Sequence, residues 1–99
     1  MTDSPDQSRQ LMLDSALTIY TAADTRLQLL AALHGALEVH LDLSAVEEID
    51  CAGLQLLLAT SIEARRHQIA LHLEGVTPPV SALLQQLGIS VLLPLEGAH

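Results

Sequence analysis

Two stretches of strict alternation constrain this chain more than anything else in it. Val39, Leu41 and Leu43 alternate with His40 and Asp42, and Ile69, Leu71 and Leu73 alternate with Ala70 and His72. A period of two puts the apolar side chains on one face of a β-strand. Each stretch is followed by a segment whose leucines recur at helical spacing. Strand–helix units in series imply parallel strands joined by crossover helices. A parallel sheet covered on both faces reads as continuous apolar runs, so alternation implies helices mainly on one face.

The remaining elements fit around these two strands. Gln10 to Leu13 and Ala16 to Ile19 read as short strands meeting at Asp14-Ser15, in the manner of a hairpin. Thr21 is a suitable N-cap for a first helix, with Asp24 three residues on and Ala23, Leu27, Leu30 and Leu37 as its stripe. Gly35 lies near its end. A second helix begins near Gly53 and ends around His67, where Arg65, Arg66 and His67 suit the negative end of the dipole. Its inward stripe is Leu54, Leu57, Leu58, Ser61 and Ile62. Ala52, Gln55, Leu56, Ala59 and Glu63 fall on the opposite side. A third helix has Thr77 as cap, Pro78 at its first position, Val80, Leu83, Leu84 and Leu87 on its apolar face, and Gly88 as its stop. Val91 to Leu93 is a last strand, ended by Pro94. The expected fold class is α/β, a small and mostly parallel sheet in the order β-β-α-β-α-β-α-β. Residues 1–9 read as a mobile tail, 10–95 as the domain and 96–99 as a C-terminal tail.

Composition removes several function classes. The 99 residues carry a net charge of −8, with no Lys and four Arg. Binding to nucleic acid or to an anionic membrane surface needs a basic patch, so neither is expected. There is no Trp or Phe and one Tyr, Tyr20, which disfavours platforms for stacking bases or sugars. A single cysteine, Cys51, rules out an intramolecular disulfide. No targeting pattern opens the chain and no apolar run is long enough for a membrane span, so a cytoplasmic protein is expected. The five glycines are scattered singly, which leaves no phosphate loop, and no Gly-x-Ser-x-Gly elbow occurs. The five histidines lack metal-ligand spacing. His40 and His72 sit on the outward side of their strands, where a wet sheet face explains them better than a metal. No cofactor and no metal site are expected.

The stretch from Leu41 to Ala59, LDLSAVEEIDCAGLQLLLA, resembles the defining motif of STAS domains. This is the family of anti-sigma-factor antagonists and sulfate-transporter C-terminal domains. Asp42, Leu43, Ser44, Val46, Ile49, Asp50, Gly53 and Leu54 match its pattern in order and spacing. Ile19-Tyr20-Thr21-Ala22 resembles the family's entry into its first helix, and Val76 to Gly88 its last helix. The likeness covers about Leu13 to Leu93. On physical grounds alone, the motif is a strand–helix joint. Asp50 or Cys51 is placed to cap the unpaired amides of a helix start, and Gly53 permits a close backbone approach. Ser44 is expected to bond the local backbone at the strand end.

The resemblance implies a non-enzymatic module that binds a protein through this turn and the helix after it. The implied contact residues are Asp50, Cys51, Ala52, Gly53, Gln55, Leu56, Ala59 and Glu63. In the anti-sigma-antagonist branch, the residue after the Asp is a Ser or Thr that a partner kinase phosphorylates, and the added charge dissociates the complex. Cys51 holds that switch-equivalent position here, and a thiol is no substrate for an ordinary Ser/Thr kinase. The expected partners are an anti-sigma or kinase-like protein or a chemotaxis kinase assembly. One alternative is a STAS subunit of the ABC transporter that maintains lipid asymmetry, docked on its cytoplasmic ATPase. Another is a thiol redox sensor based on Cys51. An open sheet face also leaves room for a homodimer.

Overall fold

The computed structural model describes residues 8–13 and 16–88. The elements run β1 (Ser8–Met12), β2 (Ala16–Leu17), α1 (Ala22–Leu33), β3 (Glu38–Asp42), β4 (Glu48–Ile49), α2 (Cys51–Arg66), β5 (Ala70–Glu74) and α3 (Pro78–Leu87). Three strands form a parallel sheet in the order β1-β3-β5. A second, two-stranded parallel sheet pairs β2 with β4. The α/β class and the parallel pairing agree with the alternation in the sequence. The strand expected at Val91–Leu93, the C-terminal tail and the turn at Asp14-Ser15 lie outside the described residues.

The core follows the period-two pattern. Val39, Leu41, Leu43 and Leu73 are fully buried, and Leu71 nearly so. Leu11 stands opposite Leu41 in register and packs partly against the same core. Helices α1 and α2 lie side by side on this face. Leu29 and Leu33 come from α1, and Leu54, Leu57 and Ala64 from α2. The opposite face carries Gln10, Met12, His40, Asp42, His72 and Glu74, all exposed or half-buried. Helix α3 packs by Val80 and Leu84 and ends at Gly88, whose left-handed φ of 67° suits glycine.

Four expectations are corrected. β1 and β2 do not form a hairpin, because each finds its own parallel partner 30 or more residues along the chain. β1 begins at Ser8, so Ser8 and Arg9 belong to the domain and not to a tail. Arg9 is structural. Its Nη1 donates to Ala31 O at 3.0 Å and Ala32 O at 3.1 Å, satisfying carbonyls at the C-terminal end of α1. Glu48 and Ile49 form β4, a strand absent from the expected order. The stripe of α1 also turns out differently. Thr25, Leu29 and Leu33 are buried, whereas Leu27 is 64% exposed and Leu37 59% exposed.

The threonines before α1 and α3 precede their helices as expected but make no side-chain cap bond. Thr77 Oγ1 instead donates to Val46 O at 2.6 Å, tying the start of α3 to the loop before β4. Thr21 Oγ1 lies within 3.0 Å of Ala16 O and accepts Thr18 N–H, which folds the β2–α1 loop on itself. A hydroxyl that finds a tertiary acceptor is no longer available to the helix amides.

Candidate functional site

The N-terminus of α2 is built by one carboxylate and one glycine. Asp50 is extended, and its Oδ1 accepts the Gly53 N–H at 3.0 Å, a cap of the first turn. Its Oδ2 accepts the Ile19 N–H at 3.1 Å. The Asp50 N–H in turn donates to Leu17 O at 3.1 Å. One side chain thus clamps the β2–α1 loop onto the start of α2. The hydrogen bond from Gly53, then that from Ile19, holds the Asp50 carboxyl below its ordinary pKa, against a smaller opposing effect of burial.

Gly53 makes the clamp possible. A Cβ at this position would lie 2.0 Å from Leu17 O and 2.8 Å from Leu17 Cβ. Helix α2 therefore crosses β2 at backbone contact, which only glycine allows. The upstream part of the motif is also a built turn. Asp42 Oδ1 accepts the Ser44 N–H at 2.8 Å. The Ser44 side chain, then this backbone bond, holds the Asp42 carboxyl below its ordinary pKa, against a smaller opposing effect of burial.

The residues expected to contact a partner fall into three groups. Asp50 and Gly53 are architectural, one the clamp and the other a buried contact. Cys51, Gln55 and Ala59 are exposed along one side of α2, with Ala52 half-buried beside them. Leu56 and Glu63 turn the other way. Leu56 packs partly against the core, and with Ala59 and Glu63 it lines a groove against Arg26, Leu29, Leu30 and Leu33 of α1. Glu63 accepts from His67 at 2.9 Å and from Arg66 at 3.4 Å. The exposed large apolar residue on α2 is Ile62, 57% exposed, which the sequence places inward.

The correct phase of the wet face is therefore Cys51, Gln55, Ala59, Ile62 and Arg66. These are spaced three or four apart and span roughly 20 Å of helix. The buried arc is wider than a leucine stripe, because it includes Thr60 and Ser61. Thr60 is buried at no polar cost, since its Oγ1 donates back to Leu56 O at 2.8 Å. The sequence signal for this arc was Gly53. A glycine at a helix start marks the side that must touch another backbone, and Thr60, Ser61 and Ala64 are the small residues that continue that side.

Two further surface residues stand beside the clamp. Ile19 is 66% exposed and Tyr20 95% exposed. Their loop is pinned to α2 by Asp50, so they extend the exposed stripe beyond the helix start. Glu47 and Glu48, just before Asp50 in the chain, are exposed as well. The result is a ridge of apolar and small residues with acidic and basic groups at its margins.

A strand, an Asp-Leu-Ser turn and an Asp-capped, glycine-contacted helix appear here in one arrangement, and a family model described as Mlab, STAS domain matches residues 1–94. The chain belongs to the STAS family. The crystal structure of a sulfate transporter family protein from Wolinella succinogenes superimposes on this STAS domain with a TM-score of 0.73 at 18% identity, over 94% of this chain and 86% of that one. At that identity the likeness is one of fold. No curated protein matches the chain. STAS domains are modules of regulation or of transporter association, and the family accounts for the resemblance in the central motif. Among the described residues, no helix is long and apolar enough to cross a membrane.

Proposed function

We propose that this STAS domain is a non-enzymatic protein-interaction module of bacterial regulation. It docks on a signalling partner, of the anti-sigma or chemotaxis kinase type, through the α2 ridge and the Ile19-Tyr20 loop. The observation that carries this reading is the Asp50 clamp. It spends a charged side chain and an obligatory glycine on fixing two exposed apolar segments side by side, with no nucleophile–base pair among the residues it positions. The exposed ridge holds Cys51 where a phosphorylatable branch has a hydroxyl, so partner release runs by a route other than phosphorylation of position 51. The setting is cytoplasmic.

A second reading is favoured by the family model over residues 1–94, whose description is Mlab, STAS domain. In that reading the same ridge docks on the cytoplasmic ATPase of an ABC transporter for lipid asymmetry.

Binding measurements with purified partners test both. The wild-type chain is titrated against the kinase assembly and against the ATPase encoded nearest to it. Ile62→Glu and Gln55→Arg are expected to weaken the true complex at least tenfold while leaving thermal unfolding unchanged. Full-strength binding by the double variant would remove α2 from the interface. Incubation with the partner kinase and ATP is expected to leave position 51 unmodified.

A further inference from the structure

The open face of the three-stranded sheet gathers side chains that the docking ridge does not use. His40 and His72 are directly opposite each other in the β3–β5 register, and their rings stack with centroids 4.5 Å apart and planes 14° apart. Glu38, two residues before His40 on the same face, reaches both of them. Its Oε2 lies 3.0 Å from His72 Nε2 and 3.5 Å from His40 Nε2. The other nitrogen of His40, Nδ1, meets Glu74 Oε2 at 2.5 Å.

We propose that Glu38, His40 and His72 form a zinc site on this sheet face, with Glu74 as the positioning residue behind His40. Two imidazole nitrogens and one carboxylate oxygen are a borderline-soft donor set, which suits Zn2+ and not Mg2+ or Ca2+, whose ligands are oxygens. The spacing fits. Zinc bonds of about 2.0–2.1 Å at a tetrahedral centre put ligand atoms roughly 3.3 Å apart. The two Glu38 distances, 3.0 and 3.5 Å, bracket that value, and the three ligand atoms lie within 4.8 Å of one another.

The outer contact fits as well. A metal-bound histidine characteristically donates its second N–H to a carboxylate, which sets its tautomer and raises its basicity. Glu74 stands in that relation to His40. All four residues lie on adjacent, in-register strands, so the sheet holds the ligands side by side, and the stacked rings turn about χ2 to aim both Nε2 lone pairs at one ion. The imidazole side chains are about three-quarters buried, 24% exposed for His40 and 26% for His72, and Glu38 is 42% exposed. Three protein ligands leave a fourth position facing solvent. The net charge of −8 favours any cation at this surface.

The experiment is a calorimetric zinc titration of the untagged full-length chain, with thermal unfolding and the imidazole NMR signals as parallel readouts. The expected result is one Zn2+ per chain with micromolar or tighter affinity. The melting temperature rises with zinc, and the signals of His40 and His72 shift while that of His34 does not. His40→Ala and His72→Ala each abolish the step. Glu74→Gln keeps one site per chain but weakens it roughly 10–100-fold. His67→Ala, removed from this face, changes nothing. Failure to saturate at one equivalent overturns the proposal, and so does binding that survives the His40/His72 double substitution. A stoichiometry of one ion per two chains, with dimer formation, also overturns it, since the ligands would then come from two copies.

Discussion

Replacing Gly53 by alanine sets two physical arguments against each other. Gly53 sits in the first turn of α2 with an ordinary helical backbone. Propensity alone says that alanine there stabilises by up to about 1 kcal/mol. The tertiary structure says the opposite. The new Cβ would lie 2.0 Å from Leu17 O, 2.6 Å from Leu17 C and 2.8 Å from Leu17 Cβ. Non-bonded heavy atoms are at ease near 3.5 Å or more, so β2 has to recede by roughly 1.5 Å. Leu17 is itself fully buried and belongs to the main core, which leaves little room to yield. Overpacking of this kind costs about 1–3 kcal/mol, and a contact with backbone belongs at the top of that range. The backbone hydrogen bond that Leu17 O accepts at 3.1 Å is lost with the movement, which adds about 1 kcal/mol. Set against the propensity gain, the net loss is about 2–3 kcal/mol. For a domain of this size that lowers the melting temperature by roughly 10–20 °C.

Thermal unfolding followed by far-UV circular dichroism measures the effect. Gly88→Ala is the matched comparison. Among the described residues no atom lies within 4 Å of a Cβ there, but the φ of 67° is unfavourable to alanine by about 1–2 kcal/mol. The expected order of stability is wild type, then Gly88→Ala, then Gly53→Ala. A Gly53→Ala variant as stable as the wild type would refute the backbone contact between α2 and β2, and with it the geometry of the clamp.

Other perturbations test separate parts of the structure. Leu57→Ala removes a fully buried side chain and is expected to cost about 2–5 kcal/mol in urea unfolding. Thr77→Val keeps the shape of the side chain but deletes its bond to Val46 O, and a loss of about 1 kcal/mol is expected from the same assay. The Asp50 carboxyl is held below its ordinary pKa by the amides of Gly53 and Ile19. Its contribution is therefore present above the unfolded-state pKa and is lost as pH falls through the lower folded value. Asp50→Asn should be less stable than wild type near neutral pH, and the gap should close in acid. A pH-independent gap in denaturation midpoints would contradict the clamp's charge. At the ridge, Tyr20→Ala should weaken partner binding with a stability change within about 0.5 kcal/mol.

Much of this molecule is legible in the order of its residues. Alternation at Val39–Leu43 and Leu71–Leu73 set out two parallel strands, because a period of two admits one pleated surface with one wet face. The Asp50-to-Gly53 spacing marked a capped helix start. The motif between Leu41 and Ala59 is enough by itself to point to the STAS family. Pro78 and Gly88 bracketed α3 to within a residue. These are all local properties, dictated by backbone geometry over a few residues.

What the sequence misplaced depended on distant partners. β1 and β2 look like a hairpin when only their separation is considered, but each pairs with a strand 30 or more residues away. The leucines between Leu54 and Leu58 do not define a helix phase by themselves. It was set by Gly53 against Leu17 and by α1 alongside, which turned Ile62 outward and Leu56 toward the core. The same holds for the histidines. His40 and His72 are far apart in the chain, at a spacing that carries no metal signal, and only the parallel register brings them ring against ring with Glu38 in reach of both. Local chemistry determined most of the elements, the Asp50 cap and the family. The tertiary structure alone decided which faces remain exposed, because that depends on which backbone each element meets.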